Sequence, residues 1–143
     1  MPPPKRDTVV VTGAAGFLGT AITERLARRY RVIALDRRAP SRPAPGVEAL
    51  TVDLADDASV AAAVAEAGRL AGGRLASVIH LAAYYDVTGE EHPLYEQVTV
   101  QGTRRLLAAL RELDCGQFLY ASTLLVHASG RRGEPIDEDW PLD

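Results

Sequence analysis

The chain has 143 residues, 47% hydrophobic and 24% charged, with a formal net charge of −3, the make-up of one soluble globular domain. That charge gives no general pull toward nucleic acid or an anionic membrane, and there is no run of about 18 apolar residues to cross a bilayer. The single cysteine, Cys115, excludes an internal disulfide and a cysteine-based metal cluster, and is expected to be a buried, inert thiol.

Residues 1–7 carry three prolines and two basic residues without an apolar stretch, and read as a flexible tail. A single domain is expected over residues 8–128, followed by an irregular tail over 129–143. Thr8 to Thr12 is a short β-branched run suited to a strand buried on both faces of a parallel sheet. Phe17 to Tyr30 then shows helical periodicity, with Phe17, Leu18, Ala21, Ile22, Leu26 and Ala27 as its apolar face. Arg31 to Leu35 reads as a second strand ending at Asp36, Arg37 to Gly46 as a proline-rich loop, and Glu48 to Val52 as a third strand ending at Asp53. Asp56 or Asp57 caps a helix that runs to Leu70 and stops at Gly72 and Gly73. Leu75 to His80 is a fourth strand, Tyr84 to Pro93 a loop, Leu94 to Leu113 a long helix, and Gln117 to Ala121 a fifth strand. This alternation predicts an α/β, Rossmann-like, doubly wound parallel sheet in the order 3-2-1-4-5.

The strongest motif is Gly13-Ala14-Ala15-Gly16-Phe17-Leu18-Gly19, between the first strand and the first helix. Gly13 permits the tight turn, Gly16 a close backbone approach to a pyrophosphate, and Gly19 close packing of helix on sheet. The amides of Gly16, Phe17 and Leu18 are expected to be free at the helix N-terminus, where the dipole favours an anion. The turn lacks the Lys-Ser/Thr ending of a mononucleotide-binding loop, so a dinucleotide is the expected ligand. Asp36 ends the second strand where a ribose-binding acid belongs. Its carboxylate accepts from ribose hydroxyls and repels a 2′-phosphate, which favours NAD. Arg37 and Arg38 follow at once and keep NADP open.

Further segments extend this pattern: Asp53-Leu54, His80-Leu81-Ala82-Ala83, Ser122-Thr123-Leu124-Leu125-Val126-His127 and Glu138-Asp139-Trp140-Pro141-Leu142. With the glycine turn, they make the chain resemble the extended short-chain dehydrogenase/reductase family, also called the NAD-dependent epimerase/dehydratase family. The resemblance implies that Asp53 and Leu54 contact the adenine, that Leu81, Ala82 and Ala83 lie along the cofactor, and that Ser122 adjoins it. It makes Thr123 the Ser/Thr that orients a substrate oxygen. The sequence departs from the family at Thr99, where Asn is usual, and at His127, where Tyr is frequent. The usual water or backbone link of that Asn is therefore in question. His80 reads as a structural histidine, because no neighbouring residues complete a metal-ligand spacing. Tyr84 and Tyr85 are equally suited to lid and surface roles.

The family's chemistry also needs a Tyr-x-x-x-Lys pair, whose lysine lowers the tyrosine pKa for acid–base work. Lys5 is the only lysine and precedes every tyrosine. The chain is therefore expected to be the C-terminally incomplete, cofactor-binding half of a longer NAD(P)-dependent oxidoreductase or epimerase/dehydratase-like enzyme. Its expected substrate is a secondary alcohol or carbonyl of a small molecule. A catalytically inactive dinucleotide-binding or sensor module is the alternative. No metal, nucleic acid or membrane partner is expected, the location is expected to be cytoplasmic, and the open fifth strand calls for a homodimer or a C-terminal partner segment as its cover.

Overall fold

The computed structural model describes residues 6–38, 43–86, 91–130 and 133–143. Strand β1 (Thr8–Thr12) leads through the glycine turn into helix α1 (Phe17–Leu26), then β2 (Arg31–Asp36) and β3 (Val47–Thr51). Helix α2 (Asp57–Ala71) is followed by β4 (Arg74–Leu75) and β5 (Ser77–His80). A π-helical segment, Tyr95–Val100, runs into α3 (Gln101–Leu110), and β6 (Asp114–Cys115) and β7 (Phe118–Tyr120) come last before a 3-10 turn at Leu124–Val126. The main sheet is five-stranded in the order β3-β2-β1-β5-β7, with every pairing parallel. This is the expected 3-2-1-4-5 order, with two short strands added.

Both faces of the sheet are covered where the sequence supplies a helix. Val10, Ile33, Leu35 and Val78 face α2 and α3, while Val9, Val11, Val32 and Ala34 face α1. Helix α2 buries Val60, Ala63, Val64, Ala67, Gly68 and Ala71, the stripe of a 3.6-residue period. Asp56 caps its start by accepting from the Ser59 amide at 2.6 Å, and Gly72 ends it in the left-handed region with φ 73°.

Several expectations need correction. Helix α1 ends at Leu26, not Tyr30, and its buried residues are Gly19 and Thr23, continued by Ala27. This small-residue stripe brings the helix close to the sheet and rotates Phe17 and Leu18 outward, 93% and 59% exposed, with Ala21 also exposed. The expected fourth strand is two strands. Arg74 and Leu75 pair with Asp114 and Cys115 in a separate ladder, and the Ala76 amide crosses to the Thr8 carbonyl at 2.8 Å before Ser77 joins β1. Cys115 sits in that small ladder and is half-buried, not buried. The long helix opens as a π-helix: the Gln101 amide bonds to the Glu96 carbonyl, and the Arg105 guanidinium takes up the Gln97 and Leu54 carbonyls at 3.2 Å each. Gly102 seats this helix on the β3–α2 connection, where a Cβ would stand 2.8 Å from the Leu54 Cβ.

The end segments hold structure that periodicity does not reveal. In the 1–7 tail, the Asp7 carbonyl accepts from the Arg31 amide at 3.0 Å, and residues 1–5 lie outside the described residues. The expected loops Arg37–Gly46 and Tyr84–Pro93 also fall partly outside them, at residues 39–42 and 87–90. In the 129–143 segment, Leu142 forms an antiparallel bridge with His127, and the Trp140 indole donates to the Ala128 carbonyl at 2.9 Å.

Candidate cofactor site

The glycine turn departs from β1 at Gly13, whose φ of 69° suits glycine. A Cβ there would also lie 2.8 Å from the Ala82 nitrogen, so the turn and the chain leaving β5 touch backbone to backbone. Gly19 is tighter still, with a built Cβ 2.1 Å from the Gly13 carbonyl oxygen. Gly16 is the N-cap of α1. Its amide is not free as expected, because it donates to the Gly13 carbonyl at 3.1 Å and so closes the turn. Among the described residues, the Phe17 and Leu18 amides have no protein acceptor, as the first turn of a helix dictates.

Asp36 lies against the same turn. Its Oδ2 accepts from the Ala15 amide and its Oδ1 from the Arg38 amide, both at 3.0 Å. The carboxylate is thus fixed between the turn and the β2 end, and each oxygen keeps a second lone pair for an incoming hydroxyl. Asp53 is held similarly: its amide donates to the Ser59 hydroxyl and its Oδ1 accepts from the Ala55 amide, each at 2.9 Å.

A cavity of about 310 Å³ opens at the C-terminal ends of these strands, within the size range of small-ligand sites. Gly13, Gly16, Asp36, Arg37, Asp53, Leu54, Leu81, Ala82 and Ala83 all line it. Phe17, Leu18 and Gly19 do not, nor do Ser122 and Thr123. Thr123 is exposed and caps the 3-10 turn, accepting from the Leu125 amide at 3.2 Å. Ala15, Leu35, Arg38, Val52, Tyr84, Leu94 and Val98 complete the lining. Leu94 and Val98, four residues apart at the start of the long helix, carried the spacing that could have marked them as one face.

The region above β5 is organised by Thr99 and Tyr84. The Thr99 hydroxyl accepts from the Tyr84 amide at 2.9 Å, so threonine supplies the backbone link that was in question without Asn. The Tyr84 ring stacks on His92 and meets Tyr95 edge-on, each with centroids 4.9 Å apart. Its hydroxyl donates to Asp86 at 3.2 Å, and partial burial together with that carboxylate holds its pKa above the ordinary phenol value. Tyr84 is therefore a packed wall residue, while Tyr85 is exposed. His80 is buried beneath this wall, and burial lowers its pKa to about 4. The His127 Nδ1 lies 3.2 Å from the Trp140 carbonyl and, bonded there, donates to it as a tethering residue in the tail. Among the described residues no group of His, Cys, Asp and Glu is arranged to hold a metal, and no helix is long and apolar enough to cross a membrane.

The family model of the NAD dependent epimerase/dehydratase family matches residues 9–143. The 2-alkyl-3-oxoalkanoate reductase of Stenotrophomonas maltophilia is 34% identical over 80% of this chain and 33% of its own. Among solved structures, the Thermus thermophilus UDP-glucose 4-epimerase in complex with NAD is 33% identical, with a TM-score of 0.76 over 95% of this chain and 44% of its own. The uronate dehydrogenase of Agrobacterium tumefaciens is 25% identical, with a TM-score of 0.78 over 96% of this chain and 48% of its own. The chain thus spans a third to a half of the length of these relatives. It belongs to the NAD dependent epimerase/dehydratase family.

Proposed function

We propose that this chain is the dinucleotide-binding half of an NAD(P)-dependent oxidoreductase or epimerase/dehydratase-like enzyme acting on a secondary alcohol or carbonyl of a small molecule. The observation that carries this reading is the meeting of the glycine turn and the Asp36 carboxylate in one cavity, lined by Gly13, Gly16 and Asp36, with Asp36 held to the turn by the Ala15 amide and the acceptor-free Phe17 and Leu18 amides following at the helix start. The residues present suit the cofactor: amides for a diphosphate, a fixed carboxylate for ribose hydroxyls, and an apolar slot of Val52, Leu54, Leu94 and Val98 for the adenine. Leu81, Ala82 and Ala83 form the wall on the nicotinamide side, and Arg37 and Arg38 flank the ribose. A nicotinamide cofactor held there supplies hydride chemistry. In this reading Ser122 adjoins the cofactor and Thr123 orients the substrate oxygen, its hydroxyl free to donate while it accepts from Leu125.

Asp36 favours NAD over NADP by repelling a 2′-phosphate. Titration with NADH and NADPH, followed by fluorescence, tests this directly. The wild-type chain should bind NADH more tightly than NADPH. Asp36→Ala should weaken NADH by about 10- to 100-fold, the worth of hydrogen bonds to a charged group, and should favour NADPH through Arg37 and Arg38. Absence of binding by either nucleotide at millimolar concentration would refute the reading.

The reading includes a cover for β7, one of the two edge strands, where Leu119 and Tyr120 of the strand and Leu124 and Leu125 after it are all exposed. We take a second copy of the chain as that cover, with a C-terminal segment as the competing outcome. A cytoplasmic setting belongs to the same reading and suits the lone thiol of Cys115.

A further inference from the structure

We propose that His80, with its ring proton on Nε2, is a positioning residue that locks the Leu81–Ala83 wall against the glycine turn through Thr12. This rests on the dinucleotide reading above and adds a residue that does not line the crevice.

The ring is 1% exposed at the end of β5. Its Nδ1 lies 2.6 Å from the Thr12 hydroxyl and its Nε2 2.9 Å from the Thr103 hydroxyl. Both hydroxyls have their other bonds assigned. The Thr103 hydroxyl donates to the Thr99 carbonyl, so it accepts from the histidine. The Thr12 hydroxyl accepts from the Ala82 amide at 3.3 Å, which leaves its proton for Nδ1. The chain therefore runs one way, from the Ala82 amide through Thr12 to Nδ1, and from Nε2–H through Thr103 to the Thr99 carbonyl. The opposite tautomer would take the Thr103 proton away from the Thr99 carbonyl to supply Nε2 with a donor, and would turn the Thr12 proton away from Nδ1, so two bonds of the buried chain would be given up.

The remaining neighbours of the ring are Phe118 and Tyr120, each with its centroid 5.8 Å away. No charged side chain among the described residues bonds to it. Each link ends on an element of the crevice. Thr12 is the residue before Gly13, and Ala82 is the wall against which Gly13 packs. Thr99 holds the Tyr84 amide through its own hydroxyl. One neutral ring thus sets the spacing between the two backbones that flank the proposed cofactor.

Two variants separate the halves of the chain. Asparagine places an acceptor near the Nδ1 position, and glutamine places a donor near the Nε2 position. His80→Gln should therefore weaken NADH about fivefold, the worth of one hydrogen bond, and His80→Asn should stay within about twofold. Thr12→Val should match His80→Gln, and the double variant should be no weaker than either. Affinities are measured on the folded baseline of each variant's urea curve, so loss of fold is not mistaken for loss of positioning. Unchanged affinity in His80→Gln, or an additive double variant about 25-fold weaker, would overturn the proposal. Two NMR readouts decide it without nucleotide. Ring ¹⁵N shifts should report the Nε2–H tautomer at neutral pH, and the Ala82 amide should exchange faster in His80→Gln. An Nδ1–H ring or an unaltered Ala82 amide overturns the proposal, whereas failure of the wild type to bind NADH overturns the dinucleotide reading alone.

Discussion

Gly19→Ala is the sharpest test of how α1 meets the sheet. Helix propensity alone favours the change by about 1 kcal/mol, because alanine replaces glycine within a helix. Packing opposes it. The new Cβ would stand 2.1 Å from the Gly13 carbonyl oxygen, 2.7 Å from the Ala14 Cα and 2.9 Å from the Ala14 carbonyl carbon. Ordinary contacts begin near ~3.5 Å, so relief needs a shift of more than ~1 Å. All three atoms are backbone, and Ala14 is itself buried and tied to the Leu35 carbonyl. Overpacking of this kind costs about 1–3 kcal/mol, and the unyielding neighbours place Gly19 at the upper end. The expected net loss is about 1–2 kcal/mol, or a fall in Tm of roughly 3–8 °C. Urea denaturation at neutral pH measures it. Gly68→Ala is the control, since its Cβ would meet only the Leu113 side chain, at 2.7 Å from Cδ2, and a flexible leucine end can turn away. That variant should be no less stable than wild type, and up to about 1 kcal/mol more stable through helix propensity. A Gly19→Ala protein as stable as wild type would refute the close backbone approach and the placement of the Phe17 and Leu18 amides that depends on it.

Two further outcomes follow from the same structure. His80 has its pKa lowered from 6.5 to about 4 by burial, so the unfolded chain binds the proton first. Its contribution is whole above pH 6.5 and is lost as pH falls toward 4, with about 2 kcal/mol gone between pH 7 and pH 5. Urea curves across that window should show this loss in wild type and not in His80→Asn, and equal slopes in the two proteins would refute it. At the free edge of β7, the proposed second copy predicts reversible dimerisation in sedimentation velocity, abolished by Leu125→Asp at a side chain that is 82% exposed. A well-behaved wild-type monomer with a cooperative melt would refute it.

The glycine turn, Asp36 and the strand ends were legible because each rests on local chemistry. A left-handed turn needs glycine at Gly13, and alternation of apolar runs with helical stripes leads to one parallel sheet order. The helix α2 caps were equally legible, since Asp56 and Gly72 act within a few residues of themselves. The break at Ala76 was not, because it is set by a partner far along the chain, where Asp114 and Cys115 pair with Arg74 and Leu75. The π-helical start of the long helix was hidden for the same reason: the Arg105 side chain gathers carbonyls from two separate segments.

By itself, the sequence determined the sheet, its order and the glycine-rich turn, since backbone geometry and periodicity are local properties. Tertiary structure decided which residues face one another. Phe17 and Leu18 turn outward because Gly19, Thr23 and Ala27 pack inward, and Gly16 spends its amide on Gly13. The histidine at the end of β5 gained its role only when Thr12, Thr103 and Thr99 came together around it. Hydrogen-bond direction in a dry interior depends on partners distant in the chain, and no spacing along the sequence encodes it.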